Sequence, residues 1–118
     1  MLEKKYRLKK RNAFSATYRT GITTHIGGIT VFCGKNKTLE TPTKIGFVVS
    51  KKIHKRAVKR NRIKRLMRES VRIYIKESEN FNTKYISLIF VSSAKLLDQN
   101  FIEIKKNIYK IMDKLTND

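Results

Sequence analysis

The chain of 118 residues has one cysteine, one proline and no tryptophan, and only nine of its residues are acidic. The single cysteine, Cys33, excludes an internal disulfide and is typical of a reducing compartment. No apolar run approaches the ~20 residues of a membrane-spanning helix, and the first residues lack the apolar segment of a secretory signal. Since 40% of the residues are hydrophobic, a core can still form. We therefore expect one small cytoplasmic domain that is not a membrane protein.

Positive charge dominates what is present, with a formal net charge of +19. Residues 1–72 hold 21 of the 28 cations and only three acids. Most of these cations lie in a basic N-terminal arm (residues 1–11) and in a second run at residues 51–72. Solubility needs a net charge of only about 2–8, so a polyanionic partner explains the excess better. Nucleic acid is the favoured partner, and an anionic membrane surface is the alternative.

The hydrophobic pattern predicts the element order α-β-β-β-α-β-α. A first helix at residues 12–21 has Asn12 as N-cap and Gly21 after its C-terminus. A β-rich stretch follows at 23–33, with Gly27-Gly28 as a bulge or close approach. A turn at 34–37 precedes a central strand at 45–50, which is apolar on both faces. The remaining elements are a helix at 57–76, a polar connection at 80–84, a strand at 85–91 and a helix at 98–115. This order predicts a two-layer α/β (α+β) sandwich with a mixed sheet of about four strands and three helices.

The helix at 57–76 is amphipathic in an unusual way. At ~100° per residue, one face collects Ile63, Leu66, Met67, Ser70, Ile73 and Tyr74. The opposite face presents Asn61, Lys64, Arg65, Arg68 and Arg72, with Arg60 and Arg62 on the flanks. A solvated helix face usually mixes charges of both signs, and here only Glu69 can pair. Because Arg meets phosphate oxygens with a planar fork, this face predicts an RNA or DNA surface.

The block from Val49 to Glu69 resembles the signature of the protein subunit of bacterial ribonuclease P. Its centre, Arg60-Asn61-Arg62 followed by Lys64-Arg65 and Arg68, is similar to the RNR motif of that family. The opening, Arg7-Leu8-Lys9-Lys10 before Phe14, Tyr18 and Gly21, is similar as well. Two stretches depart from the family: Val91-Ser92-Ser93 stands where an Ala-Arg pair is frequent, and His54-Lys55-Arg56 stands where some members have Gly-Asn.

The resemblance implies a left-handed βαβ crossover and a ribonucleoprotein enzyme whose RNA subunit, with Mg²⁺, removes the 5′ leader of precursor tRNA. The partners are then the catalytic ribonuclease P RNA and precursor tRNA, and the free protein is expected to be a monomer. The residues expected to bind the RNA subunit are Arg56, Arg60, Asn61, Arg62, Lys64, Arg65, Arg68 and Arg72.

The resemblance also implies a cleft for the single-stranded leader, and aromatic side chains beside cations suit such a site. If Ile29, Val31 and Cys33 face the core, then Phe32 projects from the other face beside Thr30. The expected leader-binding residues are Phe14, Tyr18, Phe32, Lys51 and Lys52. The alternative is that Phe14 and Tyr18 only pack the first helix onto the sheet.

Nothing in the sequence indicates a protein-based nuclease. His25 and His54 are read as unrelated surface residues, Cys33 as a small core residue, and the acids of the basic part lack metal-ligand spacing. The protein is therefore expected to bind and position RNA, and no protein metal ligands are expected. The alternatives are a structural ribosomal or other RNA-binding protein without a processing role, and a DNA-binding or architectural protein.

Overall fold

The structure is a computed structural model that describes residues 2–35 and 40–117. Its order of helices and strands confirms the predicted one. The elements are α1 (Arg11–Arg19), β1 (Ile22–Ile26), β2 (Ile29–Cys33), β3 (Lys44–Val48), α2 (Ala57–Glu77), β4 (Ser87–Ser92) and α3 (Phe101–Asn117), with short 3-10 helices at Lys4–Tyr6 and Ala94–Asp98. Residues 36 and 37 of the predicted turn lie outside the described residues.

The four strands form one mixed sheet in the order β1-β2-β4-β3. Strands β1, β2 and β4 pair antiparallel, whereas β3 and β4 are parallel neighbours joined through α2. This βαβ unit is the one that the family resemblance implied, and its left-handed sense stays a prediction. The main layers are the sheet and the pair α2 and α3, while α1 lies on part of the other face of the sheet.

The prediction that residues 45–50 form a central strand was wrong, because β3 is at the edge of the sheet. The N-terminal segment covers that edge: Arg7 bridges to Ile45, and the Leu8 amide donates to the Ile45 carbonyl over 2.9 Å. Leu2, Tyr6 and Leu8 are buried there. The basic arm is thus packed onto β3, and its covering of the edge explains an apolar sequence that is typical of a central strand.

The core lies between the sheet and the two long helices. Ile29, Val31 and Cys33 are fully buried, as their alternation predicts. On α2, Ile63, Met67 and Ser70 are buried as predicted, while Leu66, Ile73 and Tyr74 are only half-buried. The other buried residue of α2 is Val71, which the predicted face omits. Because α3 packs beside α2, the buried arc of α2 is shifted toward its neighbour.

Three local predictions need correction. Asn12 is not an N-cap, since α1 begins at Arg11 after Lys10 and has no side-chain cap. Helix α3 begins at Phe101, because residues 94–98 form a 3-10 helix. Gly27 and Gly28, with φ of +62° and +88°, form the turn of a β1–β2 hairpin instead of a bulge.

Other local predictions are confirmed. Gly21 has φ +72° directly after the end of α1, and α2 runs one residue beyond its predicted end. Gly27 also makes the predicted close approach, since a Cβ there would overlap the side-chain amide of Asn107 on α3. Among the described helices, none is long and apolar enough to cross a membrane.

Candidate nucleic-acid interface

The outward face of α2 carries four polar side chains with no partner among the described residues. Asn61 and Arg65 are exposed, and Lys64 and Arg68 are half-buried. No hydrogen bond or ion pair joins these four to residues 2–35 or 40–117. Helix α2 holds them in place because its opposite face is anchored by Ile63 and Met67. Their donors are therefore available to an external ligand.

The three other arginines of the predicted α2 set have internal partners. Arg60 donates to the carbonyls of His54 (2.7 Å) and Lys55 (2.9 Å), and so closes the loop before α2. Arg62 donates to the Gln99 carbonyl over 3.2 Å, which joins α2 to the short connection between the 3-10 helix Ala94–Asp98 and α3. Sequence reasoning missed both bonds. Each leaves part of the guanidinium fork free, so these two arginines can position the surface and still contact a ligand.

Arg72 pairs with Glu69 through two hydrogen bonds of 2.5 and 3.0 Å. The bond from the Arg72 guanidinium lowers the pKa of the Glu69 carboxyl. Glu69 therefore stays ionised and offsets the charge of Arg72, which distinguishes Arg72 from Arg68 one turn earlier. Arg56, the remaining member of the set, is exposed at the N-cap of α2.

Helix α1 is held against the outer face of the sheet by hydroxyl groups and one aromatic ring. The hydroxyls of Thr17 and Ser87 lie 2.5 Å apart, and the Thr20 hydroxyl donates to the Cys33 carbonyl over 2.5 Å. Phe14 lies over Gly46 of β3, where a Cβ would be 2.7 Å from Phe14 Cζ. The glycine thus lets α1 approach the sheet closely, with Phe14 and Tyr18 along one flank of the helix.

Beside that flank the outer face of the sheet is only partly covered, since Thr30, Val48 and Val91 are half-buried and His25 is exposed. We call this open strip beside α1 the cleft. The rings of Tyr18 and Phe32 meet edge to face, with centroids 4.8 Å apart, and Tyr18 remains 38% exposed. The prediction that Phe32 projects from the outer face is confirmed. Burial raises the pKa of the Tyr18 phenol, so the ring stays neutral at physiological pH. The structure therefore brings together two of the aromatics predicted for the leader, with Phe14 on the same helix flank.

The floor of the cleft is a row of residues that crosses all four strands. The strand register places His25, Thr30, Val91 and Val48 side by side on the outer face. His25 Nδ1 lies 2.8 Å from the Thr30 hydroxyl. Sequence reasoning missed His25, Val48 and Val91 as cleft residues, because their neighbourhood depends on register across strands far apart in sequence. Lys51 and Lys52 are exposed in the turn that follows this end of β3.

A cavity of about 360 Å³ joins the cleft region to α2. It is lined by Phe14, Gly46 and Phe47 on one side and by Lys64 and Arg68 on the other. Arg7 and Lys9 of the N-terminal segment complete its rim. The cations of α2 and the first aromatic of the cleft therefore belong to one continuous surface.

Candidate ligands for a metal are scattered over the described residues. No group of three His, Cys, Asp or Glu side chains within residues 2–35 and 40–117 could share an ion. His25 and His54 lie on different elements, and His54 Nδ1 accepts from the Arg56 amide over 3.0 Å. Cys33 is fully buried in β2, as predicted.

Comparisons with known proteins identify the family of the chain. The sequence model of the family described as Ribonuclease P matches residues 2–116. The ribonuclease P protein component of a Synechococcus strain is 34% identical over 116 residues, covering 97% of this chain and 84% of the relative. That of Staphylococcus epidermidis is 34% identical over 111 residues, covering 94% and 90%.

Solved structures show the same fold. The ribonuclease P protein of Staphylococcus aureus superposes with a TM-score of 0.76 at 26% identity, covering 95% of this chain and 98% of that one. The protein from Thermotoga maritima, at 21% identity, gives a TM-score of 0.74 and supports the fold alone. Since the family match and the relatives span nearly the whole sequence, this chain belongs to the family of ribonuclease P protein subunits, which act in the 5′ maturation of tRNA.

Proposed function

We propose that α2 binds the catalytic ribonuclease P RNA and that the cleft beside α1 holds the 5′ leader of precursor tRNA. The residues 1–118 then act as a single RNA-binding domain. The observation that carries this proposal is the set of partner-free side chains on α2, together with the cavity that links two of them to Phe14.

The RNA subunit is contacted mainly through its phosphates. Arg65 and Arg68 offer planar forks to phosphate oxygens, and Lys64 adds a point charge. Asn61 adds a directed hydrogen bond. Arg60 holds the loop before α2 and Arg62 holds the connection before α3, and the remaining donors of both extend the surface. Arg56 contributes at the N-terminal end, and Arg72 contributes least because Glu69 opposes its charge.

The leader is bound as a single strand. Unpaired bases stack on aromatic rings, and their phosphates follow a positive groove. Tyr18 and Phe32 already form one wall through their ring contact, and Phe14 continues it toward α2. Lys51 and Lys52, at the end of β3, supply charge for leader phosphates. Product tRNA lacks the leader, so this cleft favours substrate over product.

The reaction is proposed to take place on the RNA subunit with Mg²⁺. That ion prefers phosphate and water oxygens, which the RNA subunit and the substrate supply. The protein contributes binding and positioning. We also propose that the protein is located in the cytoplasm. The free protein is proposed to be a monomer, because two copies with a net charge of +19 each repel one another.

Reconstitution tests the proposal. The purified protein is added to a bacterial ribonuclease P RNA, and cleavage of precursor tRNA is followed as Mg²⁺ is varied. We expect the protein to lower the Mg²⁺ concentration needed for half-maximal cleavage, and the double variant Arg65→Ala/Arg68→Ala to lose most of this effect. A protein that binds the RNA at matched salt and leaves the Mg²⁺ requirement unchanged would instead be an RNA-binding protein without a processing role.

A further inference from the structure

A second positive groove lies on the opposite flank of α1 from the aromatic cleft. Its cavity measures about 800 Å³, and Ala13, Ala16 and Thr17 of α1 form one wall. The facing wall comes from the first residues of β3 and β4 and from the N-terminal segment. We call it the lysine groove, after six residues that line it: Lys4, Lys5, Lys9, Lys10, Lys35 and Lys44.

The charge of the lysine groove has a single sign. Its described lining contains no Asp or Glu, and low-dielectric walls with one sign of charge concentrate the field on an incoming anion. Lys44 Nζ donates to the Lys5 carbonyl over 3.1 Å and so fixes one edge. Lys4, Lys10 and Lys35 are exposed, and their side chains form no hydrogen bond or ion pair within the described chain. Their ammonium groups are available to phosphates.

The chemistry of the lining favours a folded RNA over a single strand. The described lining contains no aromatic residue, and its apolar part consists of alanines, Leu8 and the 44% exposed Ile86. Unpaired bases would find no ring on which to stack. Base-paired RNA instead presents a continuous phosphate backbone, which lysines bind without reading the sequence.

The lysine groove is also continuous with the surface of α2. Arg7, Leu8 and Lys9 line both this groove and the cavity that contains Lys64 and Arg68. A positive band therefore runs from α2 across the N-terminal segment and into the groove, while α1 separates the groove from the leader cleft. We propose that the lysine groove binds the backbone of a base-paired segment of the RNA subunit. This inference rests on the proposed binding of that RNA by α2.

The test compares two triple variants that remove the same charge. Lys4→Gln/Lys10→Gln/Lys35→Gln neutralises the groove, and Lys106→Gln/Lys110→Gln/Lys114→Gln neutralises three exposed lysines of α3. Affinity for a bacterial ribonuclease P RNA is measured by fluorescence anisotropy over a salt series. If the groove variant loses three phosphate contacts, its log–log salt slope should fall by about 2–3 units. The α3 variant should change the slope by less than the ~0.7–0.9 units of a single contact.

Further arms separate the possible failures. The groove variant should keep the wild-type ratio of affinities for precursor and mature tRNA, and thermal unfolding shows whether each variant is folded. Equal salt slopes for the two folded triple variants would overturn the inference. So would a groove variant that loses affinity for mature tRNA but keeps its affinity for the ribonuclease P RNA. Arg65→Ala/Arg68→Ala is the reference for α2. If that variant weakens binding while the groove variant does not, only the lysine groove is refuted; if neither does, the proposed function fails.

Discussion

Arg68 and Arg72 show how neighbouring arginines of one helix differ in what they can bind. Both lie on the side of α2 that faces away from the core. Arg72 donates two hydrogen bonds to Glu69, whereas Arg68 reaches the cavity beside Phe14 and meets no acid among the residues described. The unpaired charge of α2 is therefore concentrated toward its first half, near the cavity that Phe14 also lines.

Arg68→Ala should weaken binding to the RNA subunit and reduce its salt dependence. Each phosphate contact that is lost lowers the log–log slope by about 0.7–0.9. The charge-neutral control is Glu69→Gln/Arg72→Gln, which removes an ion pair without changing the net charge and should leave the slope unchanged. Filter binding over a salt series measures both. An unchanged slope for Arg68→Ala would show that Arg68 does not contact a phosphate of the RNA.

Tyr18→Ala should weaken the binding of precursor tRNA more than the binding of mature tRNA. Loss of one base–aromatic stack costs about 1–3 kcal/mol, and mature tRNA has no leader to lose contact with. Tyr18→Phe keeps the ring and its contact with Phe32, so it should bind precursor nearly as well as the wild type. Affinities of the holoenzyme for both tRNAs measure the effect. Equal losses for precursor and mature tRNA would indicate damage to packing and would argue against a leader site.

Helix α1 depends on a glycine in another element for its position. Phe14 occupies the space that a side chain at Gly46 would need, and the hydroxyls of Thr17 and Thr20 fix the other end of the helix. This docking sets how far α1 stands from the sheet beside the cleft, which is the proposed leader site. Changes in β3 should therefore alter leader binding without touching the leader.

Gly46→Ala should displace Phe14 and move α1 away from the sheet. Overpacking of this kind costs typically about 1–3 kcal/mol, and we expect weaker precursor binding with little change toward the RNA subunit. Urea unfolding and tRNA affinity measure the two effects. The double variant Gly46→Ala/Phe14→Leu should recover stability but not leader affinity. Unchanged stability and affinity in the single variant would show that α1 does not depend on this contact.

The β1–β2 hairpin offers a matched pair of glycines. Gly27 and Gly21 both have positive φ, so alanine at either costs roughly 1–2 kcal/mol of backbone strain. A Cβ at Gly27 would also overlap Asn107, whereas the space around Gly21 is open. Gly27→Ala should therefore lower the free energy of unfolding more than Gly21→Ala, and Asn107→Ala should remove most of the difference. Equal destabilisation would mean that the hairpin and α3 are not in close contact.

The features that the sequence predicted well are those that depend on local periodicity. The burial of Ile29, Val31 and Cys33 follows from alternation along one strand, and the two faces of α2 follow from the helical repeat. The RNR block indicated the family, and the resemblance to that family implied the βαβ unit. The order of elements could be predicted because each signal lies within about one element.

What could not be predicted depends on partners distant in the chain. The apolar sequence of β3 arises from the N-terminal segment that covers its edge, and alternation cannot distinguish this from a central position. The bonds from Arg60 and Arg62 go to backbone carbonyls, which no residue type reveals. Val71 is buried because α3 lies beside α2. In each case the missing information was which elements pack together.

Positive charge is concentrated in residues 1–72, where few acids offset it. The described residues form two ion pairs, Glu3–Lys5 and Glu69–Arg72, against a net charge of +19. Repulsion among the cations of α2, the N-terminal segment and the lysine groove opposes the compact state. Without a bound polyanion this repulsion is not offset, so the folded free protein should be sensitive to ionic strength.

The midpoint of thermal unfolding should rise when salt is added from a low ionic strength to about 0.15 M, since screening then acts over ~8 Å. The triple variant Lys4→Gln/Lys10→Gln/Lys35→Gln should show a smaller rise because less repulsion remains to be screened. Circular dichroism at several salt concentrations measures both. A midpoint that falls with salt would show that attractive ion pairs outweigh repulsion.

The central place of β4 has a consequence for synthesis on the ribosome. The hairpin of β1 and β2 can form early, but it joins β3 only through β4, so the sheet stays in two pieces until Ser92 has left the exit tunnel. Helix α2 emerges before that moment, with its cations exposed and its apolar face uncovered. The proposed RNA-binding face of α2 is thus accessible for an interval before the sheet on which the helix will pack is complete.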